Sequence, residues 1–332
     1  MFSRTQAVAR AFAVWLLVIL SAFWADVVTA QPAGGPNSER PPSRLWAAPG
    51  SKLPAEVIAH RGSSLERPEH TLAAYQLAIE QGADYLEPDL RLTRDGVLIA
   101  LHDATLNRTT DVADRPEFAG RARLDGRNQP AWYPEDFLLE EIKRLRAKQG
   151  TKGRSAEFDG RESIPTFSEV VALARRYQEQ SGRPVGLVPE LRGSIAEFVK
   201  EVRALQLDQP DSDLKLYLQS FSLDDLRAAR AELGLPAAWL VTKWPPAETL
   251  PKLRKEITGL GANKRLLLAA DGAEQIARAK EAGLQIIAWT FADDNFDRQN
   301  FPSAAAELQA VLDRGVDAFF TDSPASGKNA VK

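Results

Sequence analysis

Residues 57–102 read VIAHRGSSLERPEHTLAAYQLAIEQGADYLEPDLRLTRDGVLIALH. Three apolar runs, Val57–Ala59, Tyr85–Leu90 and Val97–Leu101, each carry polar groups at or near their ends: His60, the Glu87-Pro88-Asp89 pair, and His102. Between the first and second runs, apolar residues recur at helical spacing over Thr71–Gln81, and Gly82 stands where a left-handed cap ends a helix. Strand, helix, strand, with chemistry at the strand ends, is the unit of a parallel α/β sheet or barrel. Working outward, the same alternation gives candidate strands at Gly186–Leu191, Leu214–Leu218, Ala238–Val241, Arg265–Ala269 and Gln285–Trp289. A ninth short run, Ala318–Thr321, closes the ring or extends its rim. Helices are expected at Phe167–Tyr177, Ile195–Leu205, Leu223–Glu232, Ala273–Ala282 and Ala304–Arg314, with further glycine stops at Gly234, Gly283 and Gly315.

Two irregularities break the rhythm. Only Arg91–Gly96 joins the second run to the third, whereas a parallel crossover takes about a dozen residues or more. The pair is therefore a hairpin, or the second helix is missing. Asp103–Pro165 is a long charged insertion with aromatic residues, and at the C-terminal rim of a barrel it would overhang the active site as a cap.

Composition narrows the function. The chain has 332 residues, 26% of them charged, with a net charge of −3, so it lacks the basic excess of a nucleic-acid binder. Cys is absent, which excludes disulfides, thiolate nucleophiles and zinc-thiolate sites. No nucleotide-binding glycine loop is present. Arg4 and Arg10, the uncharged run Ala11–Trp24 and the small residues Val28-Thr29-Ala30 read as a signal peptide over residues 1–30, cleaved before Gln31. The run is short for a membrane span, so export to the periplasm or medium without stable membrane insertion is expected. Residues 31–54 read as a flexible leader, 55–325 as the domain with its cap at 103–165, and 326–332 as a tail.

The strand ends carry the chemistry. Of the three His in the chain, His60 and His102 directly follow apolar runs, and each has a charged neighbour, Arg61 and Asp103. Glu87 and Asp89 stand at i, i+2, which sends both carboxylates to one face of a strand. Two carboxylates converging inside a barrel repel unless a cation compensates them, so a divalent ion with oxygen ligands is the economical explanation. Glu190, ending GLVPEL, is a candidate third ligand, with Arg192 beside it. Three carboxylates, two His and two Arg at strand ends suit a metal site for an anionic phosphate ester.

The ordered motifs AHRG, PEHT, YLEPDLRLTRDG and LHDATLNRTTDVADR, followed more thinly by PTFSEV, PEL, QSF, AWT and TDSP, resemble the glycerophosphodiester phosphodiesterase family, particularly its exported, periplasmic branch. The resemblance spans nearly all of Val57–Pro324. It implies a distorted TIM (β/α)8 barrel with a missing second helix and a cap inserted after the third strand. It also implies that His60 and His102 are the general acid and base, that Arg61 grips the phosphate, and that Glu87, Asp89 and Glu190 hold Ca²⁺ or Mg²⁺. Glu69 of PEHT belongs to the same shell or orients a neighbour, and Phe221 and Trp289 line the glycerol pocket. His70, just before the first helix, is expected to cap it and to stay out of catalysis. Where the family usually shows Glu-x-Lys, this chain has Arg192, which puts the detail of phosphate binding in doubt. The implied reaction is hydrolysis of small glycerophosphodiesters such as glycerophosphocholine to sn-glycerol 3-phosphate and an alcohol. A phospholipase D-like enzyme on the same barrel, acting on intact lipids, is the alternative. It would need apolar surface for acyl chains, and the cap, with Arg115, Arg121, Arg123 and Arg127, is more charged than apolar. A binding protein on a decayed barrel would have lost a His or a carboxylate, and none is lost.

Overall fold

The computed structural model describes residues 43–47 and 51–332. The proposed signal peptide and its cleavage point lie outside the described residues. The main sheet is strongly curled and mostly parallel, consistent with a TIM-like barrel. Glu56–His60 pairs on one side with Ala318–Thr321 and on the other with Tyr85–Glu87. Two strands are broken by prolines that cannot donate to a ladder, Tyr85–Leu92 at Pro88 and Gly186–Leu191 at Pro189. Their two halves pair with each other in parallel, Tyr85 with Gly186 and Asp89 with Glu190. From Glu190 the pairing passes through Leu218–Ser220, Ala237–Val241, Gly259–Asn263 and Gln285–Phe291, and returns to Ala318–Thr321. Because every pairing in this circuit is parallel, the C-terminal ends of the strands share one mouth.

The short second connection is a hairpin. Asp89–Leu92 pairs antiparallel with Leu98–Ala100, and Thr93 closes the turn by accepting from the Val97 amide at 3.0 Å, with Gly96 at a φ of +78°. This corrects the expectation of a missing second helix. Leu98–Ala100 stands outside the parallel circuit, and a full helix, Phe167–Ser181, precedes the Gly186–Leu191 strand. The second helix is thus present, displaced in the chain by the 103–165 segment. That segment contains short turns, a ribbon pairing Arg123–Leu124 with Pro130–Ala131, and its own apolar cluster around Leu106, Phe118, Trp132 and Phe137.

Three further readings change. Arg265–Ala269 is not a strand; the helix Lys264–Leu268 occupies it, started by the Asn263 side chain accepting from the Arg265 amide. The strand is Gly259–Asn263, GLGAN, which carries no β-branched residue to announce it. Its glycines answer a packing demand: a Cβ at Gly261 would stand 2.4 Å from Leu240 Cδ2, and one at Gly259 would stand 2.9 Å from the Gln285 carbonyl. The leader is docked where it is described. Leu45 is 2% exposed and packs with Ile58, Tyr85, Tyr217 and Ile287, while Arg44 pairs with Asp317 at 2.9 Å. Finally, the tail is helical, since Pro324–Ala330 is a helix whose Lys328 reaches Asp84 at 2.8 Å. No helix among the described residues is long and apolar enough to cross a membrane.

Candidate active site

The first strand ends in His60, and the chain then turns sharply. Arg61 adopts a φ of +61°, and Gly62 follows at +86°, where a Cβ would lie 2.7 Å from the Ala74 carbonyl carbon. This turn lets the Arg61 amide donate to Glu87 at 2.8 Å and its guanidinium reach Glu69 at 3.0 Å and Asp89 at 3.4 Å.

Glu87, Asp89 and Glu190 are all buried, and each offers an oxygen within 4.8 Å of the others. Arg192 lies across the group, 2.8 Å from Asp89 and 2.9 Å from Glu190. Gln219 donates to Glu87 at 3.1 Å. Burial and the neighbouring Asp89 push the Glu87 carboxyl well above the ordinary carboxylate range, and the same two causes push Glu190 up to about 8. Asp89 goes the other way: burial opposes its ionisation, but His70, Arg192 and Arg61 together hold it low. Even with Arg61 and Arg192 beside them, burial and mutual repulsion resist ionisation of all three carboxyls together. Hard oxygen donors whose joint ionisation calls for a further positive charge fit a divalent cation of the Mg²⁺ or Ca²⁺ type.

Both imidazoles are held in the same way. His60 Nδ1 lies 2.6 Å from Asp322, and His102 Nδ1 lies 2.6 Å from Asp103. With Nδ1 engaged, Nε2 is the ring atom left for proton exchange. Each aspartate is gripped in turn by an arginine of the 103–165 segment. Arg154 reaches Asp322 at 2.6 Å, and Arg108 reaches Asp103 at 2.7 Å. Arg108 also forks onto Glu69 at 2.7 and 2.8 Å; although burial opposes ionisation, these bonds bring Glu69 down to about 2. Glu69 thus joins the two arginines Arg61 and Arg108 and lies outside the three-carboxylate cluster. His70 does not cap the helix. Thr71 does, accepting from the Ala74 amide at 3.1 Å, while His70 is buried between Asp89 at 2.9 Å and the Tyr75 hydroxyl at 2.7 Å.

These side chains converge on one cavity of about 140 Å³. His60, Arg61, Glu87, His102, Glu190 and Arg192 form its polar side. Phe221 and Trp289 form its aromatic side, edge to face at 5.5 Å. Of the sequence candidates, Asp89 lies beneath Arg61 and Arg192, and Glu69 lies behind Arg61. Asp322, Arg154, Arg108 and Gln219 went without a role in the sequence reading. Asp322, Gln219 and Arg108 sit inside TDSP, QSF and LNRTT, so the motifs were visible while the partnerships were not.

The comparisons with known proteins run through the same residues. The profile of the glycerophosphoryl diester phosphodiesterase family matches residues 60–326. The chain is 30% identical over 324 residues to the Arabidopsis thaliana glycerophosphodiester phosphodiesterase GDPD6, covering 82% of this chain and 84% of that one. It is 30% identical over 290 residues to the glycerophosphodiester phosphodiesterase of Caldanaerobacter subterraneus, covering 83% and 97%. Among solved structures, a phosphodiesterase of Oleispira antarctica in complex with the product sn-glycerol-3-phosphate superposes with a TM-score of 0.63 at 27% identity, covering 84% of this chain and 97% of that one. With a match that begins at His60 and extends past Asp322, across every residue of the cavity, the chain belongs to the glycerophosphoryl diester phosphodiesterase family.

Proposed function

We propose that the protein hydrolyses small glycerophosphodiesters, glycerophosphocholine and glycerophosphoethanolamine among them, to sn-glycerol 3-phosphate and the free alcohol. The observation that carries this reading is the convergence of two Asp-held imidazoles, two arginines and the carboxylate cluster on one small cavity. A phosphodiester anion repels a nucleophile until its charge is met, and Arg61 and Arg192 meet it from the protein side. A divalent cation held by Glu87, Asp89 and Glu190 would add Lewis-acid neutralisation of the phosphate. One imidazole takes a proton at Nε2 from the attacking hydroxyl while the other gives one to the departing alcohol oxygen. The attacking group in this scheme is the glycerol 2-hydroxyl. It gives a cyclic phosphate that water opens with the two His exchanging roles. Phe221 and Trp289 offer the glycerol carbons an apolar wall. The barrel reading that goes with this function is a (β/α)8 ring capped by residues 103–165.

Export with cleavage before Gln31 belongs to the same proposal, resting on the sequence of residues 1–30. Intact-mass analysis of exported protein is expected to find Gln31 first, and retention of the segment would refute it. For the activity, purified protein is expected to release glycerol 3-phosphate from both deacylated diesters, since recognition rests on the glycerol-phosphate end. Activity confined to diacyl phospholipids would overturn the assignment.

A further inference from the structure

Of the arginines around the cavity, four have a carboxylate of their own. Arg61 pairs with Glu69 at 3.0 Å, Arg108 with Glu69 at 2.7 Å, Arg154 with Asp322 at 2.6 Å and Arg192 with Asp89 at 2.8 Å. Arg91 forms no ion pair among the described residues. Its Nη2 donates to the His102 carbonyl at 3.1 Å, and its buried Nε has no hydrogen-bond partner. Glu135 of the 103–165 segment acts on it at longer range, but Arg123 holds that carboxylate at 3.0 Å.

The strand register puts Arg91 where it is. Asp89 pairs with Glu190, and Leu90 with Leu191, on neighbouring parallel strands. At the next position both chains carry an arginine, Arg91 and Arg192. Side chains alternate along a strand, so Arg91 shares the face of Asp89 and stands about 7 Å nearer the C-terminal mouth. Like charges side by side on adjacent strands repel. Arg192 is bonded to both Asp89 and Glu190, which leaves Arg91 as the cation whose charge the fold does not meet. Burial and the Arg192 charge accordingly bring its pKa below the ordinary arginine value. A half-buried guanidinium in that state is a ready partner for an external anion.

Building on the glycerophosphodiesterase reading, we propose that Arg91 is a specificity-determining residue that binds an anionic group on the departing alcohol, so that diesters of a carboxylate-bearing alcohol such as serine are preferred. In that reading the phosphate falls to Arg61 and Arg192, and the glycerol carbons to Phe221 and Trp289. Arg91 lies outside this lining, at the backbone of His102. His102 is the more exposed of the two imidazoles, 32% against 19% for His60. The alcohol is the part of the diester that must depart to solvent, so its substituent passes this rim. A planar guanidinium fork matches a carboxylate in shape as well as charge. In the net reaction the phosphorus–oxygen bond to serine breaks and water supplies a hydroxyl to phosphorus and a proton to the serine oxygen. The products are sn-glycerol 3-phosphate and serine.

The test compares kcat/KM for glycerophosphoserine and glycerophosphoethanolamine, which differ by one carboxylate. In the unaltered protein the serine ester is expected to be favoured by roughly three- to tenfold at low salt, and the preference to shrink as salt is raised. Arg91→Gln, whose amide can still donate to the His102 carbonyl, is expected to abolish the preference through a higher KM for glycerophosphoserine, with less than about a twofold change on glycerophosphoethanolamine. Arg91→Lys, which keeps the charge, should retain part of the preference. Equal losses on both esters in folded Arg91→Gln would overturn the assignment, because the arginine would then serve the phosphate or the hairpin. So would the absence of any preference in the unaltered protein, a measurement that decides even where Arg91→Gln fails to fold. Failure of the unaltered protein to turn over either ester would instead strike the underlying functional reading.

Discussion

The two histidine arms of the cavity are built from the same parts and differ in where the parts come from. Each has Nδ1 at 2.6 Å from an aspartate, and each aspartate is held by an arginine. In the His102 arm the aspartate is the next residue, Asp103, and the imidazole side chain is 32% exposed. In the His60 arm the aspartate is Asp322, 262 residues away, brought alongside because the first and last strands of the circuit are hydrogen-bonded neighbours. That imidazole is 19% exposed and stands beside Arg61. Burial and the Arg61 charge lower its affinity for a proton, with Asp322 acting against them. The local arm works at the rim near solvent; the long-range arm is enclosed, so its protonation depends on the surrounding protein.

Removing the floor that both arms share is the most severe way to test the comparison. Chelation with EDTA is expected to abolish glycerol 3-phosphate release, and Mg²⁺ or Ca²⁺ to restore it, because Glu87, Asp89 and Glu190 offer only hard oxygen ligands. Glu87→Gln should raise the metal concentration needed for half-maximal rate. Full activity in chelator-treated protein would refute the metal site.

Breaking either arm at its imidazole comes next. His60→Ala and His102→Ala should each lower turnover by at least about 100-fold, the scale of lost general acid or base catalysis. The double variant should be little worse than either single one, since one relay interrupted at either end has already stopped. Turnover by His102→Ala close to that of the unaltered protein would remove the exposed arm from the mechanism.

The difference between the arms is sharpened at the aspartates. Asp322→Asn should cost at least about tenfold, because the aspartate fixes the tautomer and orientation of the imidazole, and Asp103→Asn less than about tenfold, because solvent can partly replace it. The pH–rate profile supplies the sign. His60 is already lowered from 6.5, so it stays neutral and able to accept a proton somewhat below that pH. Removing the Asp322 charge takes away a contribution that raises it, so the acid limb of Asp322→Asn should move to still lower pH. A limb that moved upward would contradict the arrangement.

The smallest effect is expected at the third histidine, which belongs to neither arm. His70 touches Asp89 and Tyr75 and does not line the cavity. His70→Ala should keep most of its turnover at saturating metal while weakening metal affinity and lowering the unfolding temperature. A loss as large as that of His60→Ala at equal folded fraction would give this residue a part in the reaction.

The parts of the site legible in the sequence are those written within a few residues of one another. His60 beside Arg61, Glu87 two residues from Asp89, and His102 beside Asp103 all follow apolar runs whose periodicity marks them as strands. Strand Gly259–Asn263 escaped because its demand is for small side chains against Leu240 and Gln285, a demand that comes from neighbours and leaves no β-branched signature. The hairpin at Thr93–Val97 was one of two open readings, because a short connection alone does not say whether the next strand runs back along its neighbour or crosses to a new position.

By itself, then, the sequence determined the strand–helix alternation, the polar groups at the strand ends and the chemical type of the site, because side-chain periodicity and residue type are local properties. Only the tertiary structure decided which carboxylate serves which imidazole, that Arg154 and Arg108 tie the 103–165 segment to both dyads, and that Leu45 and the helix Pro324–Ala330 belong to the folded body. Those partnerships are contacts between residues far apart in the chain. They exist because the curled sheet brings its first and last strands side by side, and nothing in the spacing of either partner encodes the other.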